Sequence, residues 1–331
     1  MKPIEKILVT GSAGFIGSTL CYEGLKQGFV VMGIDNYSNS KQLNTKILKG
    51  FSKNFSFQEV DIANNPKAVK GYFKEFQPDL VIHLASLKSV QESEKNPSLY
   101  WKNNLDSTAN ILESMSEISC NNLIFSSSAS VYCPNNDLPL TETSVLGPLS
   151  IYGQTKLACE KLIHDNCEKE GISAVIFRYF NLCGAHKEKL FFETSEISES
   201  LMTKIIDVAE GNRKSITVYG NDHLTKDGTA SRDFIHIDDL LEAHFTIISS
   251  INKFNGFEVF NLSTGKETTV LTILEKFQEM HKLSIEYYIG GPKNEEISRS
   301  FASAKKIGSL IGWKAKKTID DICADSWGAS K

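Results

Sequence analysis

A glycine-spaced turn near the start of the chain constrains the fold more than any other feature of the sequence. The apolar run Lys6–Thr10 is typical of a short buried strand, and Gly11, Gly14 and Gly17 lead from it into a helical pattern. Such glycines allow a tight turn, a close approach of the backbone to a pyrophosphate, and close packing of the helix on the strand. We therefore predict a strand–turn–helix unit that binds the phosphates of a dinucleotide at the positive helix end.

A carboxylate at the end of the second apolar run supports this interpretation. Residues 30–34 read as the next strand, and Asp35 follows them directly. A carboxylate in this place accepts hydrogen bonds from adenosine ribose hydroxyls and repels a 2′-phosphate, which favours NAD over NADP. Glycine turns also occur for purely structural reasons. The strand, the helix and Asp35 together make dinucleotide binding the better interpretation.

Strand-like runs alternate with helical patterns through the first half of the chain. The predicted strands lie at 55–59, 80–83, 122–126 and 174–177, the long helices at 96–116 and 152–170, and shorter later elements at 201–209, 216–219, 257–261 and 270–281. This rhythm predicts an α/β fold: a Rossmann-type doubly wound parallel sheet with a smaller C-terminal substrate-binding domain. We expect residues 1–180 to form the NAD-binding domain, with about 232–263 returning to it, and residues 181–331 to form mainly the substrate domain.

Composition argues against several classes of function. The 331 residues carry a net charge of −4 and show no dense basic run, which argues against nucleic-acid binding. No apolar segment reaches the ~20 residues that span a bilayer, and the first residues have no signal-peptide layout. We therefore expect a cytoplasmic protein that does not bind a membrane. The seven cysteines are scattered without a Cys-x-x-Cys pair, which favours reduced thiols over disulfides or a metal site.

The spacing of Tyr152 and Lys156 indicates acid–base chemistry, because residues i and i+4 share one face of a helix. A tyrosine, whose pKa is ordinarily ~10, needs a shift of about three units to act as a base near neutrality, and a cation about 4 Å away contributes on that order. Lys156 and an oxidised nicotinamide ring could together supply the shift. Ser128 ends a hydroxyl run and could hydrogen-bond the substrate hydroxyl that becomes a carbonyl. Chance spacing and local turn bonding are the alternatives to these two roles.

These motifs, with the pair Asp61 and Ile62, resemble the NAD-dependent epimerase/dehydratase branch of the extended short-chain dehydrogenase/reductase family. Further segments of the sequence resemble a smaller group within this family. They lie at 83–90, 103–104, 178–181, 184–186, 220–222 and 227–236. Those stretches resemble the UDP-glucose 4-epimerases over nearly the whole chain. The resemblance implies an isomerase that inverts C4 of a UDP-hexose, UDP-glucose or UDP-galactose with the N-acetyl forms left open. It would do so by transient oxidation to a 4-keto sugar and return of the hydride.

The resemblance also implies which residues contact NAD. Phe15 and Ile16 would lie at the pyrophosphate, Asp61 and Ile62 at the adenine, and Phe180 close to the nicotinamide ring. The remaining cofactor contacts that it implies are Gly11, Gly14, Gly17, Asp35, Asn36, Tyr37, Ser38, Asn39, Ser40, Leu84, Ala85, Ser86, Lys88, Asn103, Ser128, Tyr152 and Lys156.

For the UDP-sugar the resemblance implies a second set of residues and no metal. Arg232 would face the diphosphate, where its guanidinium offers paired donors to phosphate oxygens, although a salt bridge to a neighbouring carboxylate is its alternative role. The other implied substrate contacts are Lys88, Ser128, Tyr152, Asn181, Ser200, Leu201, Thr217, Val218, Tyr219, Lys293, Glu296 and Ser300. Ser300 falls where a bulky Tyr restricts some of these epimerases to glucose and galactose, so a small residue would leave room for an N-acetyl group. A slip of one residue would instead place Arg299 or Phe301 there.

Several positions depart from the family pattern. Leu182 stands in place of a Pro, Glu199 and Ser200 in place of an Asn pair, and the run 293–296 in place of Arg-x-Gly-Asp. Ala129 and Ser130 replace the Asp-Glu pair of the related dehydratases, so elimination of water is not expected. Another nucleotide-sugar oxidoreductase or epimerase of the family, acting on UDP-glucuronate or UDP-N-acetylglucosamine, remains an alternative. A non-catalytic nucleotide sensor is a further one, against which the intact trio of Ser128, Tyr152 and Lys156 counts.

The two long helices predict a homodimer. They resemble the helices that form an intersubunit four-helix bundle in the family. The apolar residues that could supply its seam, or could equally face the sheet, are Leu105, Ile111, Leu112, Leu157 and Leu162.

Overall fold

The computed structural model describes residues 3–193, 200–291 and 297–328. Its strands are β1 (Lys6–Thr10), β2 (Val30–Asp35), β3 (Phe55–Glu59), β4 (Leu80–His83), β5 (Asn122–Ser128), β6 (Ser173–Tyr179), β7 (Asn181–Cys183), β8 (Ile216–Tyr219), β9 (Ser231–Arg232), β10 (Phe234–His236), β11 (Phe257–Leu262), β12 (Thr268–Thr269), β13 (Tyr287–Gly290) and β14 (Arg299–Ser300). Its helices are α1 (Phe15–Lys26), α2 (Gln42–Phe51), α3 (Pro66–Phe76), α4 (Val90–Lys95), α5 (Pro97–Glu117), α6 (Ile151–Glu170), α7 (Leu201–Ala209), α8 (Ile237–Ser250), α9 (Val270–His281), α10 (Lys305–Ile311) and α11 (Ile319–Ser326). The elements predicted from the sequence are all present, with ends that differ by at most two residues.

A seven-stranded sheet in the order β11–β6–β5–β4–β1–β2–β3 confirms the Rossmann-type prediction. The pairings of β1 with β2 and β4, of β2 with β3, and of β4 with β5 are parallel. The strand order reverses between β1 and β4, and in doubly wound sheets ligands bind outside the carboxyl ends of the strands at such a switch point. The segments that follow β1, β4 and β5 are therefore the ones to search for a site.

The chain divides into two compact units. The first comprises Met1–Cys133, Leu146–Arg178 and Phe245–Phe260, and the second comprises Pro134–Val145, Tyr179–His244 and Asn261–Lys331. The expectation that the first part of the chain binds NAD and the second binds the substrate stays a prediction.

The first unit is held together by an apolar core between the sheet and its helices. Phe73 of α3 and Ile163 of α6 are fully buried against strand residues such as Leu8, Val81 and Leu123. Burying a side chain of this kind contributes roughly 1.5–3 kcal/mol relative to exposure. The core therefore fixes α6 against the sheet, and the first turn of α6 carries the candidate site residue Tyr152.

The second unit contains three small sheets, of order β10–β7, β12–β9–β14 and β13–β8. Its core consists of apolar residues such as Ile205, Ile216, Ile273, Phe277 and Ile322. All seven cysteines of the chain are free thiols, as the sequence predicted. Among the described residues, the helices are too short or too polar to cross a membrane.

Candidate active site

The glycine turn after β1 keeps a cradle open at the start of α1. Gly11 has φ +69°, and a Cβ atom there would lie 2.9 Å from the backbone nitrogen of Ala85. A Cβ at Gly17 would lie 2.1 Å from the Gly11 carbonyl oxygen. Gly14 precedes Phe15, the first residue of α1, and no side chain caps this end of the helix. The glycines therefore allow backbone segments to approach where a side chain would not fit. The first amides of α1 stay available to bind an anion.

Asp35 organises the loop at the end of β2. Its Oδ2 accepts a hydrogen bond from the Ala13 amide at 3.0 Å, and its Oδ1 accepts from the Tyr37 amide at 2.8 Å and from the Ser40 hydroxyl at 2.9 Å. A carboxylate has about four acceptor positions, so one position on Oδ2 remains for a ribose hydroxyl. A second ribose bond to the carboxylate requires the Ser40 hydroxyl to turn away.

The other predicted adenosine contacts lie in two loops. Asn36, Ser38 and Asn39 follow Asp35 and are half-buried or exposed. Asp61 accepts hydrogen bonds from the amide and side chain of Asn64, at 3.1 and 3.0 Å. Ile62 is buried after β3. A further polar group in the cradle is the hydroxyl of Ser12, which is buried and has no hydrogen-bond partner among the described residues. The residues present therefore fit a dinucleotide.

The segment after β4 is fixed by the hydroxyl of Thr10. This oxygen accepts from the amides of Leu84 and Ala85, at 3.1 Å each. It lies 2.7 Å from His83 Nδ1, to which its own proton must therefore go. Burial and the nearby positive charge of Lys156 lower the pKa of His83 to about 3, so the ring is neutral at pH 7. Ser86 is half-buried and Lys88 is exposed in the same segment.

Asn103 and its neighbour Asn104 differ in how deeply they are buried. Asn103 on α5 is half-buried, whereas Asn104 is buried and its Oδ1 accepts from the Leu87 amide at 2.8 Å. Asn104 Nδ2 also donates to the Thr155 hydroxyl at 3.0 Å. Asn104 therefore connects the segment after β4 to α6, a role that the sequence analysis did not assign.

Ser128, Tyr152 and Lys156 come together at the end of β5 and the start of α6. Ser128 is the last residue of β5, and Tyr152 lies in the first turn of α6. Burial raises the pKa of Tyr152 to about 12, while a hydrogen bond with the Ser128 side chain lowers it and the Cys159 thiol raises it. Within the protein itself, burial therefore outweighs the groups that favour a phenolate.

Lys156 lies on the same helix but bonds to the strand. Its Nζ donates to the Ser126 carbonyl at 2.8 Å and lies 4.9 Å from the centre of the Phe125 ring. Burial lowers the pKa of Lys156 to about 8, with Cys159 and Glu160 acting in the opposite direction. The ammonium form therefore still predominates at pH 7.

Gly153 lets α6 approach the turn that follows Ser128. A Cβ at this position would lie 2.4 Å from the Ser130 carbonyl oxygen. A glycine inside a helical pattern is a sequence signal from which such a close approach could have been predicted. Gly153 therefore brings the helix that carries Tyr152 close to the strand end that carries Ser128.

A buried ion pair contacts the serine run through Ser127. Arg178 donates to both carboxylate oxygens of Glu160, at 3.0 and 2.6 Å, and to the Tyr132 hydroxyl at 3.0 Å. The Ser127 hydroxyl donates to Glu160 at 2.5 Å. Glu160 follows Lys156 by one helical turn, so its position on the same face could have been predicted, but its partner Arg178 could not.

Apart from Lys88, Ser128 and Tyr152, the predicted substrate contacts that the structure describes lie in the second unit. Asn181 is exposed on β7, and its amide donates to the Asp233 carbonyl at 3.0 Å. Phe180 is buried just before it. Ser200 caps α7 by accepting from the Thr203 amide, and Leu201, the first residue of that helix, is half-buried.

The remaining predicted contacts lie on two short sheets. Thr217, Val218 and Tyr219 belong to β8, where the Thr217 hydroxyl donates to the Tyr288 hydroxyl at 2.6 Å. Arg232 is half-buried, and its Nη1 donates to the Ser231 carbonyl at 2.7 Å. Ser300 pairs in register with Arg232. Lys293 and Glu296 lie outside the described residues.

Comparisons with known proteins find relatives over nearly the whole chain. The model of the NAD dependent epimerase/dehydratase family matches residues 7–263. The UDP-glucose 4-epimerase of Bacillus subtilis is 36% identical over 97% of this chain and 95% of its own length. A crystal structure of UDP-glucose 4-epimerase from Bifidobacterium longum in complex with NAD+ and UDP is 36% identical, with a TM-score of 0.92 over 97% of this chain and 96% of that one. The UDP-glucose 4-epimerase from Stenotrophomonas maltophila, with bound NAD and formylated UDP-arabinopyranose, is 33% identical, with a TM-score of 0.92 over 98% and 97%.

Proposed function

Because the chain belongs to the NAD dependent epimerase/dehydratase family, we propose that it is an NAD-dependent isomerase that inverts C4 of a UDP-hexose. The observation that carries the proposal is the trio of Ser128, Tyr152 and Lys156 where β5 ends and α6 begins. The relatives named UDP-glucose 4-epimerase match nearly the whole chain, which confirms the resemblance inferred from the motifs. The substrates of the reaction are UDP-glucose and UDP-galactose.

The cofactor is NAD, and the cradle described above would hold it. The amides at the start of α1 would bind the pyrophosphate, Asp35 the adenosine ribose, and the segment after β4 the nicotinamide side. When bound, NAD supplies the acceptor and the donor of the C4 hydride. The second unit would bind the UDP-sugar, with Arg232 at the diphosphate and with Lys293 and Glu296 as further contacts.

Tyr152 is the acid and base of this reaction. Its Oη takes the proton of the C4 hydroxyl during oxidation and returns a proton when the 4-keto sugar is reduced on the other face. The Ser128 hydroxyl, which bonds Tyr152, orients the oxygen that becomes a carbonyl.

The size of the pKa shift that Tyr152 requires shows why two positive charges are needed. Lowering the pKa of Tyr152 from about 12 to near neutrality takes roughly 7 kcal/mol. One cation about 4 Å away at an effective dielectric near 20 supplies ~4 kcal/mol. In the proposed mechanism the Lys156 ammonium would supply part of the shift, and the positive ring of bound oxidised NAD would supply the rest.

Product analysis tests this function. The purified protein is incubated separately with UDP-glucose, UDP-N-acetylglucosamine and UDP-glucuronate, with no cofactor added. We expect UDP-galactose from UDP-glucose, because an epimerase regenerates its NAD in each turnover. A folded protein that converts none of the three sugars, and develops no NADH absorbance with any of them, would instead be a nucleotide sensor.

A second candidate substrate follows from Ser300. Ser300 pairs with Arg232 on the neighbouring strand, and a small side chain at the position where some of these epimerases carry a bulky Tyr would leave room for an acetamido group at C2 of the sugar. A neighbouring structure at 30% identity is that of a UDP-Glc/GlcNAc 4-epimerase from Campylobacter jejuni. UDP-N-acetylglucosamine is therefore the second sugar that we expect the protein to convert.

The protein acts as a homodimer through α5 and α6. Of the apolar residues named for the seam, Ile111 and Leu112 are fully buried in the core of the first unit and cannot contribute. Leu105 and Leu162 pack at the edge of the same core, and Leu157 is half-buried. The seam therefore depends on these last three residues and on exposed neighbours.

Two exposed leucines give the dimer a direct test. Leu99 on α5 and Leu149 just before α6 are 49% and 45% exposed. Replacing both with Glu should lower the mass measured by light scattering at micromolar concentration from a dimer to a monomer. Leu224→Glu is the matched control, because Leu224 is 90% exposed in the second unit. A wild-type protein of monomer mass would reject the dimer.

A further inference from the structure

The amide of Tyr152 is held by a residue outside its own helix. The first N–H groups of an α-helix have no acceptor within the helix. In α6 the Ile151 amide donates to Glu94 Oε1 at 2.8 Å and the Tyr152 amide donates to Ser93 Oγ at 3.1 Å. The Gly153 amide donates to Ser150 Oγ at 3.0 Å. Two of these three caps therefore come from α4, which follows the segment predicted to contact the cofactor.

Ser93 is built for this contact. Its side chain is fully buried, and its hydroxyl donates to the Val90 carbonyl at 2.6 Å. With its proton committed there, the oxygen presents a lone pair to the Tyr152 amide. α4 is itself anchored, because the Ser89 amide donates to the Tyr100 hydroxyl at 3.0 Å. The Ser93 oxygen is therefore held in place by contacts that do not involve Tyr152.

The carbonyl of Tyr152 leads back to the same segment. It accepts from the Thr155 hydroxyl at 2.8 Å, and that hydroxyl accepts from Asn104 Nδ2 at 3.0 Å. Asn104 bonds both the amide and the carbonyl of Leu87, at 2.8 and 3.1 Å. Both backbone polar groups of Tyr152 are thus connected to the residues that follow β4.

We propose that Ser93, assisted by Glu94, is a positioning residue that aligns Tyr152 with Ser128 and with the segment that holds the cofactor. The proposal rests on the proposed function, since it assigns Tyr152 the proton transfer. The hydrogen bond between Tyr152 and Ser128 depends on where the first turn of α6 lies relative to β5. Misplacing a reacting group by about 1 Å can slow a reaction by ~10²-fold. A cap on the amide of the acid–base residue itself therefore acts on turnover.

Paired variants test the proposal. Ser93→Ala removes the cap, and Ser114→Ala is its matched control, because Ser114 is equally buried and its hydroxyl also donates to a helical carbonyl, that of Asn110. We expect Ser93→Ala to lower kcat by about tenfold while KM for the UDP-sugar stays within about twofold. Ser114→Ala should change kcat by less than about twofold at a comparable Tm.

Variants of Glu94 provide a second test if Ser93→Ala does not fold. Glu94 is exposed, so Glu94→Ala should fold and lower kcat by about threefold, whereas Glu94→Gln, which keeps an acceptor oxygen, should restore it. Amide exchange read by mass spectrometry provides a measurement that does not need turnover. In Ser93→Ala, exchange should rise in the peptide that contains residues 151–153 and not in those of the second unit.

The outcomes separate the two proposals. If the wild type converts no UDP-sugar, the proposed function fails, while amide exchange still decides whether Ser93 holds the start of α6. If the wild type is active and Ser93→Ala matches Ser114→Ala in both kcat and amide exchange, the positioning role is overturned. Equal losses in Glu94→Ala and Glu94→Gln would overturn the contribution of Glu94.

Discussion

Glu160 and Arg178 form an ion pair whose side chains are 4% and 3% exposed, directly behind the serine run that ends in Ser128. Two hydrogen bonds join the carboxylate to the guanidinium, which also lies 4.8 Å from the Tyr132 ring centre. Burial alone would lower the pKa of Arg178, but the hydrogen bonds and the negative charge of Glu160 outweigh burial and raise this pKa above its ordinary value. Each charge is thus tolerated in the interior only because of the other.

Breaking this pair should destabilise the first unit strongly. We expect Arg178→Met to lower the free energy of unfolding by about 3–5 kcal/mol, because it leaves the Glu160 carboxylate buried without its partner. Adding Glu160→Leu should recover most of that loss, since no uncompensated charge remains. Urea unfolding of the two single variants and the double variant measures the coupling. Additive losses would contradict the interpretation.

Removing the Tyr152 hydroxyl should stop turnover without removing the ring. We expect Tyr152→Phe to lower kcat by at least ~10²-fold, the effect typical of a lost general base. Tyr287→Phe is the control, because Tyr287 is 44% exposed on β13 and should leave kcat unchanged. Product formation from UDP-glucose measures both. Near-normal turnover in Tyr152→Phe would remove Tyr152 from the mechanism.

The neutral ring of His83 should make the protein less stable in acid. Its pKa is about 3 in the folded chain, below the ~6.5 of an unfolded histidine, so between these values the unfolded state binds a proton that the folded state does not. Its contribution to stability is therefore lost as pH falls through this window, at up to ~1.4 kcal/mol per pH unit. His83→Asn, which keeps an acceptor for Thr10, should flatten the loss between about pH 6 and 4 and match the wild-type slope above pH 7.5. Urea unfolding at a series of pH values provides the check. An unchanged acid slope in His83→Asn would show that His83 does not cause it.

The strand register bears on which residue faces the sugar. Ser300 and Arg232 are paired in parallel β14 and β9, and paired residues point to the same face of a sheet. Arg299 points to the other face, where both its Nε and Nη2 donate to the Glu267 carboxylate at 2.7 Å. If Arg232 faces the diphosphate, Ser300 shares its face and Arg299 does not.

Ser300→Tyr should narrow the range of sugars. The phenol would fill the space that an acetamido group needs, and overfilling a packed site costs about 1–3 kcal/mol. We expect turnover of UDP-N-acetylglucosamine to fall by roughly tenfold or more while that of UDP-glucose is retained. Arg299→Ala is the control and should leave the ratio of the two activities unchanged. A wild type that never converts the acetamido sugar would refute the role of Ser300.

Local patterns in the sequence were sufficient for much of the fold. The glycine turn at Gly11, the strand that ends in Asp35 and the Tyr152–Lys156 spacing each involve residues close together in the chain. Their backbone requirements are local, so periodicity and residue type predicted them. The positions of β1, β3, β4, α7, β8 and α9 followed from the same kind of signal, whereas the order of the strands in the sheet came only from the structure.

Contacts between distant residues were decided only by the tertiary structure. Ser93 is 59 residues from Tyr152, and Asn104 is 51 residues from Thr155, so no spacing rule could have joined them. The pKa of Tyr152 also depends on its burial, which raises it, whereas the sequence indicated only the groups that would lower it, Lys156 and an oxidised nicotinamide ring. By itself the sequence determined which elements form and which side chains are candidates for the chemistry, because those follow from local backbone preference and residue type. The tertiary structure decided how these side chains are held and charged, because hydrogen bonds and desolvation depend on the neighbours that folding brings together.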